Sequence, residues 1–324
     1  MTARPGGELA IYQVDAFTTV PYAGNPAGVV LDGDGLPDAT MQLIAREMNL
    51  SETAFLLPPS HPEADLRVRW FTPTVEVDLC GHGTVACLHA ALEAGRLEPG
   101  AYRMECLAGV LPLELERGAD SRPRIRLGLP VPDLADWNIA GCRVADALGL
   151  EPEDLHPRLP AMKAATWGVV AVSGLEALGR LRPDFGQVRD LERTDGVGEL
   201  IVLTTETVED ASSVNVRMLA PACGIDEDPV TGAAQGPVAA YLVAHGLVPM
   251  PGAPQAQAAD AAGVAGHLRY QAEQGDSLSR PGRIEVDVAL RAGRICSITI
   301  AGSAVTVVRG TIVLPLVPAS RIGT

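Results

Sequence analysis

The chain has 324 residues, 47% hydrophobic and 20% charged, which is too long for one ordinary core and rich enough in apolar side chains for two. Its net charge of -15 at pH 7 repels phosphate backbones and argues against non-specific nucleic-acid binding, although local donors can still hold a small anion. It contains no uninterrupted apolar run of about 18 residues, the length a membrane helix needs. Residues 1–9 lack a basic-then-apolar signal pattern, so a cytoplasmic location and no membrane partner are expected.

Taken in chain order, residues 10–17 alternate as a strand, Asn25-Pro26 marks a turn and 27–31 read as a second strand. Residues 38–49 carry a helical period, with Asp38 or Thr40 as N-cap and Asn49 as the C-terminal stop. Strands follow at 51–57 and 66–71. Residues 84–94 have almost no polar face, which predicts a helix enclosed by protein, and 237–245 share that character. Strands are expected at 102–105, 110–116 and 124–129, and 130–133 reads as a linker. Beyond it, 137–148 and 175–181 read as helices, and 169–172, 199–204, 214–219 and 268–274 as strands. Residues 249–265, rich in Ala, Pro and Gln, read as an exposed insertion. Four strands, 284–290, 294–301, 303–309 and 311–316, close the chain.

One segment occurs twice. Arg69-Trp-Phe-Thr-Pro73 leads to Cys80-Gly81-His82-Gly83 and an apolar helix, and Arg217-Met-Leu-Ala-Pro221 leads to Thr231-Gly232-Ala233-Ala234 and another. Arg and Pro keep their spacing, while the path from Pro to Gly is three residues longer in the second copy. The duplication predicts an α+β fold of two similar domains. Each is expected to wrap a curved, mostly antiparallel sheet around a central apolar helix, with the active site in the cleft between them. Domain one covers 1–130, completed by the C-terminal strand within 303–324, and domain two covers 131–302.

The six cysteines form no C-x-x-C pair, and H-E-x-x-H, Walker and G-x-G-x-x-G patterns are missing, so neither a metal nor a cofactor is expected. Two glycine loops entering buried helices suggest amide groups converging on a carboxylate-like ligand. Glu52 stands at the start of an apolar strand. Burial would suit it to proton transfer, but the residues alone favour an exposed carboxylate. His82 could exchange a proton, oriented by a carboxylate of the run Asp226-Glu227-Asp228; a solvated charge cluster and a histidine satisfying a loop carbonyl fit equally well. Cys80 could act as a thiolate base beside a helix N-terminus. Its counterpart Thr231 is a poor second base, which favours a structural Cys80 over two-thiol racemisation.

The motifs Tyr12-Gln-Val-Asp-Ala-Phe17, Gly24-Asn-Pro26, Met48-Asn-Leu-Ser-Glu-Thr53, Asp78-Leu-Cys-Gly-His82, Glu227-Asp-Pro-Val-Thr-Gly232 and Arg280-Pro-Gly-Arg-Ile-Glu285 resemble, in order, the phenazine-biosynthesis isomerase (PhzF) family. The wider superfamily is that of diaminopimelate epimerase. The resemblance implies a cofactor-independent homodimeric isomerase that moves a proton on a small carboxylate-bearing substrate like dihydro-3-hydroxyanthranilate. It implies Glu52 as acid and base, His82 and Asp228 beside the substrate, and Ser51, Gly81 and Gly232 as binding groups. Ala233 departs from the serine of many members and removes one hydroxyl donor. Alternatives are an epimerase, racemase or dehydratase using Cys80, with Thr231 opposite it in the repeat, or a non-catalytic metabolite-binding protein.

Overall fold

The computed structural model describes residues 6–118, 122–247 and 266–315, so the insertion expected at 249–265 and the end of the last expected strand lie outside the described residues. The chain divides into two compact units, one formed by residues up to Gly128 together with those from Ala301, the other by Leu129–Ile300.

The first unit contains β1 (Glu8–Ala16), β2 (Asn25–Val30), α1 (Asp38–Met48), β3 (Thr53–Leu57), β4 (Leu66–Phe71), β5 (Glu76–Val77), α2 (Gly81–Glu93), β6 (Gly100–Cys106), β7 (Gly109–Arg117) and β8 (Pro123–Leu129). β1 lies between β2 and the C-terminal strand Ala304–Val313, antiparallel to both. The ladder then runs β2–β3 parallel, β3–β4 antiparallel, β4–β6 parallel and β6–β7 antiparallel, with β5 folded back antiparallel on β4. Helix α2 packs against β1, β2, β3 and the C-terminal strand, and every residue from Gly81 to Ala91 is buried. A helix with no polar face has to be enclosed in this way.

The second unit contains β9 (Leu134–Asp136), α3 (Gly141–Leu148), β10 (Met162–Ala164), β11 (Trp167–Ala171), α4 (Leu175–Arg180), α5 (Phe185–Asp195), β12 (Glu199–Thr204), β13 (Val214–Ala220), β14 (Ile225–Asp228), α6 (Gln235–Ala244), β15 (Gly266–Gln274), β16 (Gly282–Arg291) and β17 (Arg294–Gly302), before β18 (Ala304–Val313) returns to the first. Its ladder repeats the first one. β9–β10 and β10–β11 are antiparallel, β11–β12 parallel, β12–β13 antiparallel, β13–β15 parallel and β15–β16 antiparallel, with β14 folded back on β13. Helix α6 takes the place of α2, against β9, β10 and β11. The extra three residues of the second copy precede β14, where Pro221–Cys223 make a turn of 3-10 helix and Gly224 follows at φ 85°.

The duplicated arginine holds each connector strand. In the first unit Arg69 forks onto Glu76, with Nε–Oε1 and Nη2–Oε2 both at 2.7 Å. In the second Arg217 forks onto Glu227 at 2.8 and 2.7 Å, and its Nη1 donates to Leu178 O at 3.0 Å. Glu76 and Glu227 each stand five residues before the loop glycines Gly81 and Gly232, so the clamp sets where each loop begins.

Several elements differ from expectation. The N-cap of α1 is Pro37, since the Asp38 carboxylate goes to Arg69 at 2.6 Å and Thr40 is buried within the helix; Asn49 ends it at φ 49° as expected. Trp137 precedes α3 and lies over Gly168, where an added Cβ would meet its ring at 2.6 Å. α5 was not expected, although Asp184 caps it through the amides of Gly186 and Gln187, and Gly196 ends it at φ 68°. The two strands read at 303–309 and 311–316 form one strand. Gly310 pairs with Ile11, and the pairing steps from Gln13–Val308 to Val14–Thr306, so Val307 is accommodated as a bulge. No helix among the described residues is long and apolar enough to cross a membrane.

Both side chains of the Arg217–Glu227 pair are only 9% exposed. Arg217→Leu is expected to cost about 3–5 kcal/mol in urea unfolding, because it strands a buried carboxylate. Arg217→Leu/Glu227→Leu should recover much of that loss; a double variant no more stable than the single would contradict the clamp.

Candidate active site

Glu52 immediately precedes β3, and its carbonyl accepts the Gly28 amide of β2 at 3.0 Å. That close approach needs glycine, since a Cβ on Gly28 would meet Thr53 Oγ1 at 2.6 Å. Glu52 is 9% exposed, which overturns the reading of a solvated strand end. The first turn of α2 supplies the facing groups. Cys80 caps the helix, its Sγ accepting the Gly83 amide at 3.3 Å, while Thr84 Oγ1 donates to Cys80 O at 2.6 Å. Gly83 allows the turn to lie on Trp70, because a Cβ there would come within 2.8 Å of Cδ1.

His82 Nε2 lies 3.0 Å from Glu52 Oε2 and 3.2 Å from Ser51 Oγ, and its Nδ1 lies 3.5 Å from Cys80 Sγ. Glu52 Oε2 is buried, and the imidazole at 3.0 Å is the charged group that faces it. The electrostatics follow from the contacts. Burial pushes the Glu52 carboxyl up, but the charge and hydrogen bonding of His82 outweigh it, with help from Ser51 and Cys80, and hold Glu52 below its ordinary 4.5. Burial pulls the His82 imidazole down, and Cys80 and Glu52 together hold it well above 6.5. Burial, then the Glu52 charge, push the Cys80 thiol above 9.0. These directions favour a charged Glu52–His82 pair at neutral pH. The polar atoms of Glu52, His82 and Cys80 lie within 4.8 Å of one another, a cluster that the sequence spacing did not disclose.

The second loop is built differently. Of the run Asp226-Glu227-Asp228, Asp226 is exposed, Glu227 is taken by Arg217 and Asp228 is buried, so it is not a solvated cluster. Thr231 Oγ1 donates to Asp228 Oδ2 at 2.5 Å. Gln274 of β15, missed in the sequence, organises the loop: its Nε2 donates to Asp228 O at 2.9 Å and Thr231 Oγ1 at 3.0 Å, and its Oε1 accepts the Thr231 amide at 3.0 Å. Its place just before Gly275 in a strand carried no distinguishing signal. The amides of Gly81 and His82 in one unit, and of Gly232 and Ala233 in the other, take no acceptor among the described residues. Such amides at a helix entry suit an anion.

The ladders also show a counterpart of Glu52. Thr53 pairs with Gly28 and Phe71, and Leu200 pairs with Gly168 and Leu219, which aligns Glu52 with Glu199. At the position of His82 the second copy has Ala233. Without an imidazole, burial alone moves Glu199, and it moves upward.

Comparison with known proteins identifies the family. The family model described as phenazine biosynthesis-like protein matches residues 14–310. The uncharacterized isomerase YddE of Escherichia coli K12 is 36% identical over 301 residues, covering 91% of this chain and 95% of the relative. The trans-2,3-dihydro-3-hydroxyanthranilate isomerase of Pseudomonas fluorescens is 32% identical over 313 residues, covering 93% and 98%. A crystal structure of the Bacillus anthracis phenazine biosynthesis protein, PhzF family, superimposes with a TM-score of 0.82 at 31% identity, covering 94% and 99%. The chain belongs to the phenazine biosynthesis-like protein family, has its α+β fold and is an isomerase.

The charge pair fixes a pH dependence. The His82 contribution to stability is complete below 6.5 and fades as pH rises through its raised folded value; that of Glu52 is complete above 4.5 and fades as pH falls through its lowered one. NMR titration should therefore find His82 protonated well above 6.5. In Glu52→Gln its midpoint should fall toward that ordinary value, and an unchanged titration would show that Glu52 does not hold the proton there.

Proposed function

We propose that this member of the phenazine biosynthesis-like protein family is a cofactor-independent isomerase that shifts a proton between two carbons of a small carboxylate-bearing metabolite, with Glu52 as acid and base. The observation that carries the reading is a carboxylate buried to 9% exposure and charge-paired with His82 at 3.0 Å. The substrate class is cyclic or amino-acid-derived, similar to the dihydro-3-hydroxyanthranilate named for the Pseudomonas fluorescens relative.

Protonating Glu52 breaks its pair with His82, so Glu52 is a reluctant base. The C–H it attacks must be acidified by conjugation to a carbonyl or carboxylate. The His82 imidazolium then stabilises the negative charge that develops on the substrate. Once the proton has moved, neutral Glu52 regains its ion pair by giving the proton up, which favours fast return to another carbon on the same face. The Ser51 hydroxyl steadies His82 from the side of Nε2. Asp228, held by Thr231 and Gln274, is proposed to accept from a polar substituent, and the amides of Gly81, Gly232 and Ala233 to donate to the substrate. With alanine at 233 the second loop offers an amide without a hydroxyl.

The competing reading makes Cys80 the base. Its contact with His82 Nδ1 at 3.5 Å favours it, and burial beside the Glu52 charge opposes it, because both keep the thiol protonated. Incubation in heavy water with dihydro-3-hydroxyanthranilate and a panel of amino and hydroxy acids separates the two. Glu52→Gln should stay folded by circular dichroism, still bind, and lose on the order of 100- to 10,000-fold in deuterium incorporation, the range for general acid–base catalysis. Full incorporation by Glu52→Gln, with loss in Cys80→Ser, would transfer the role to the thiol.

A further inference from the structure

Thr231 occupies the place of Cys80 in the second copy, where its hydroxyl serves poorly as a base. Its surroundings give that hydroxyl a direction instead. Asp228, Thr231 and Gln274 are all buried. The end of β15 is pressed onto the loop that carries the first two: Gly275 follows Gln274 at φ 89°, and a Cβ on it would meet Pro229 O at 2.7 Å. The Gln274 amide therefore sits against the loop backbone, and its orientation is forced. Asp228 O can only accept, and the Thr231 amide can only donate. Nε2 must face Asp228 O, at 2.9 Å, and Oε1 the Thr231 amide, at 3.0 Å. Turned over, the side chain would set acceptor against acceptor and donor against donor. The second N–H of Nε2 then goes to Thr231 Oγ1 at 3.0 Å. Because that hydroxyl accepts from Gln274, its own proton points to Asp228 Oδ2 at 2.5 Å. The chain of hydrogen bonds ends on Asp228 as an acceptor.

We infer that Gln274 is a positioning residue for substrate recognition: through Thr231 it holds Asp228 as a hydrogen-bond acceptor, so that the substrate group meeting Asp228 must be an O–H or N–H donor. The inference rests on the reading that Asp228 lies beside the substrate. It gives Thr231 a hydrogen-bonding role in place of a basic one. A hydroxyl accepts from Gln274 and donates to Asp228 at full strength, whereas a thiol does both weakly, so threonine suits this place better than a second cysteine. The substrate class narrows accordingly. A carboxylate metabolite bearing a hydroxyl or amino group fits. One that brings a carbonyl oxygen to Asp228 sets two acceptors face to face and is rejected.

Calorimetric titration of the full chain with aromatic carboxylates, whose rings carry no acidic C–H for Glu52 to take, tests this by binding alone. Wild type should bind 3-hydroxyanthranilate, which has hydroxyl and amino donors, about 10- to 100-fold more tightly than benzoate, the range for a hydrogen bond to a charged group. Thr231→Val removes the hydroxyl at nearly constant shape and leaves both backbone bonds of Gln274 in place. Its preference should fall toward parity while benzoate binds as before, and Thr231→Ser should restore the preference. Gln274→Met fills the same space without donors and should lower the preference as well. Gln274→Met/Thr231→Val should show no further loss, as two links of one chain require. A preference that survives in Thr231→Val, or a loss in Gln274→Met that falls equally on benzoate, would leave Gln274 a mere anchor of the loop and overturn the inference. So would a wild type without preference. Should Gln274→Met fail to fold, Thr231→Val and Thr231→Ser decide the matter. Turnover by Glu52→Gln would remove the proposed proton carrier without changing these affinity ratios, so the two failures are separable.

Discussion

A carboxylate and an imidazole, both stripped of water, can remain charged only while they face each other. That constraint accounts for much of the first unit's construction around Glu52 and His82. Isolated burial of either would drive it neutral, since a desolvated charge without a partner is costly. The pair therefore needs both groups fixed. The β2–β3 ladder fixes Glu52 through the Gly28 amide, and α2, enclosed by the sheet, fixes His82 within its first turn. Cys80 caps that turn, and Gly83 lets it sit on Trp70. The apolar character of α2 thus has a functional consequence: it leaves the first-turn imidazole no neighbouring solvent and makes its partner carboxylate decisive.

The internal repeat places a second acid in the same frame without that partner. The two units share a strand ladder, a central helix and an arginine clamp on the connector strand. They even share an acid at the head of the fourth ladder strand, β3 in one and β12 in the other. Glu52 has an imidazole nearby and is held below its ordinary value; Glu199 has none and is pushed above it. The same position in the same ladder thus gives opposite acidity, because Glu52 has a charged imidazole beside it and Glu199 is moved by burial alone. The second copy instead uses its loop to hold Asp228 through Thr231 and Gln274. Duplication set the frame, and a few loop residues separated the chemistry of the copies.

Much of the frame was legible in the sequence, because it follows from periodicity. The bounds of β4 and β12 match their expected ranges, and Asn49 ends α1 in the left-handed conformation that its composition implies. The all-apolar α2 and α6 are enclosed as a helix without a polar face must be. Elements whose signal is a partner rather than a pattern were not legible. β5 and β14 are two and four residues long and exist because an arginine on the next strand forks onto their glutamates. Asp38 looked like a cap until Arg69 took its carboxylate. Trp137 looked helical, but its ring fills the space above Gly168. Glu52 is the clearest case. The residues beside it in the sequence say only that an acid precedes an apolar strand. What buries it and keeps it charged comes from β2 and from α2, both distant along the chain.

Whether the Glu52–His82 pair governs proton transfer is measured most directly by the pH profile of solvent-deuterium incorporation. Wild type should lose activity on the acid side as Glu52 is protonated and on the alkaline side as His82 loses its proton. His82→Asn should flatten the alkaline limb and move the acid limb to higher pH, since burial then acts on Glu52 unopposed by the imidazole, at a reduced plateau. An alkaline limb that persists unchanged in His82→Asn would mean that another group carries the positive charge, and the pair would not be the centre of the reaction.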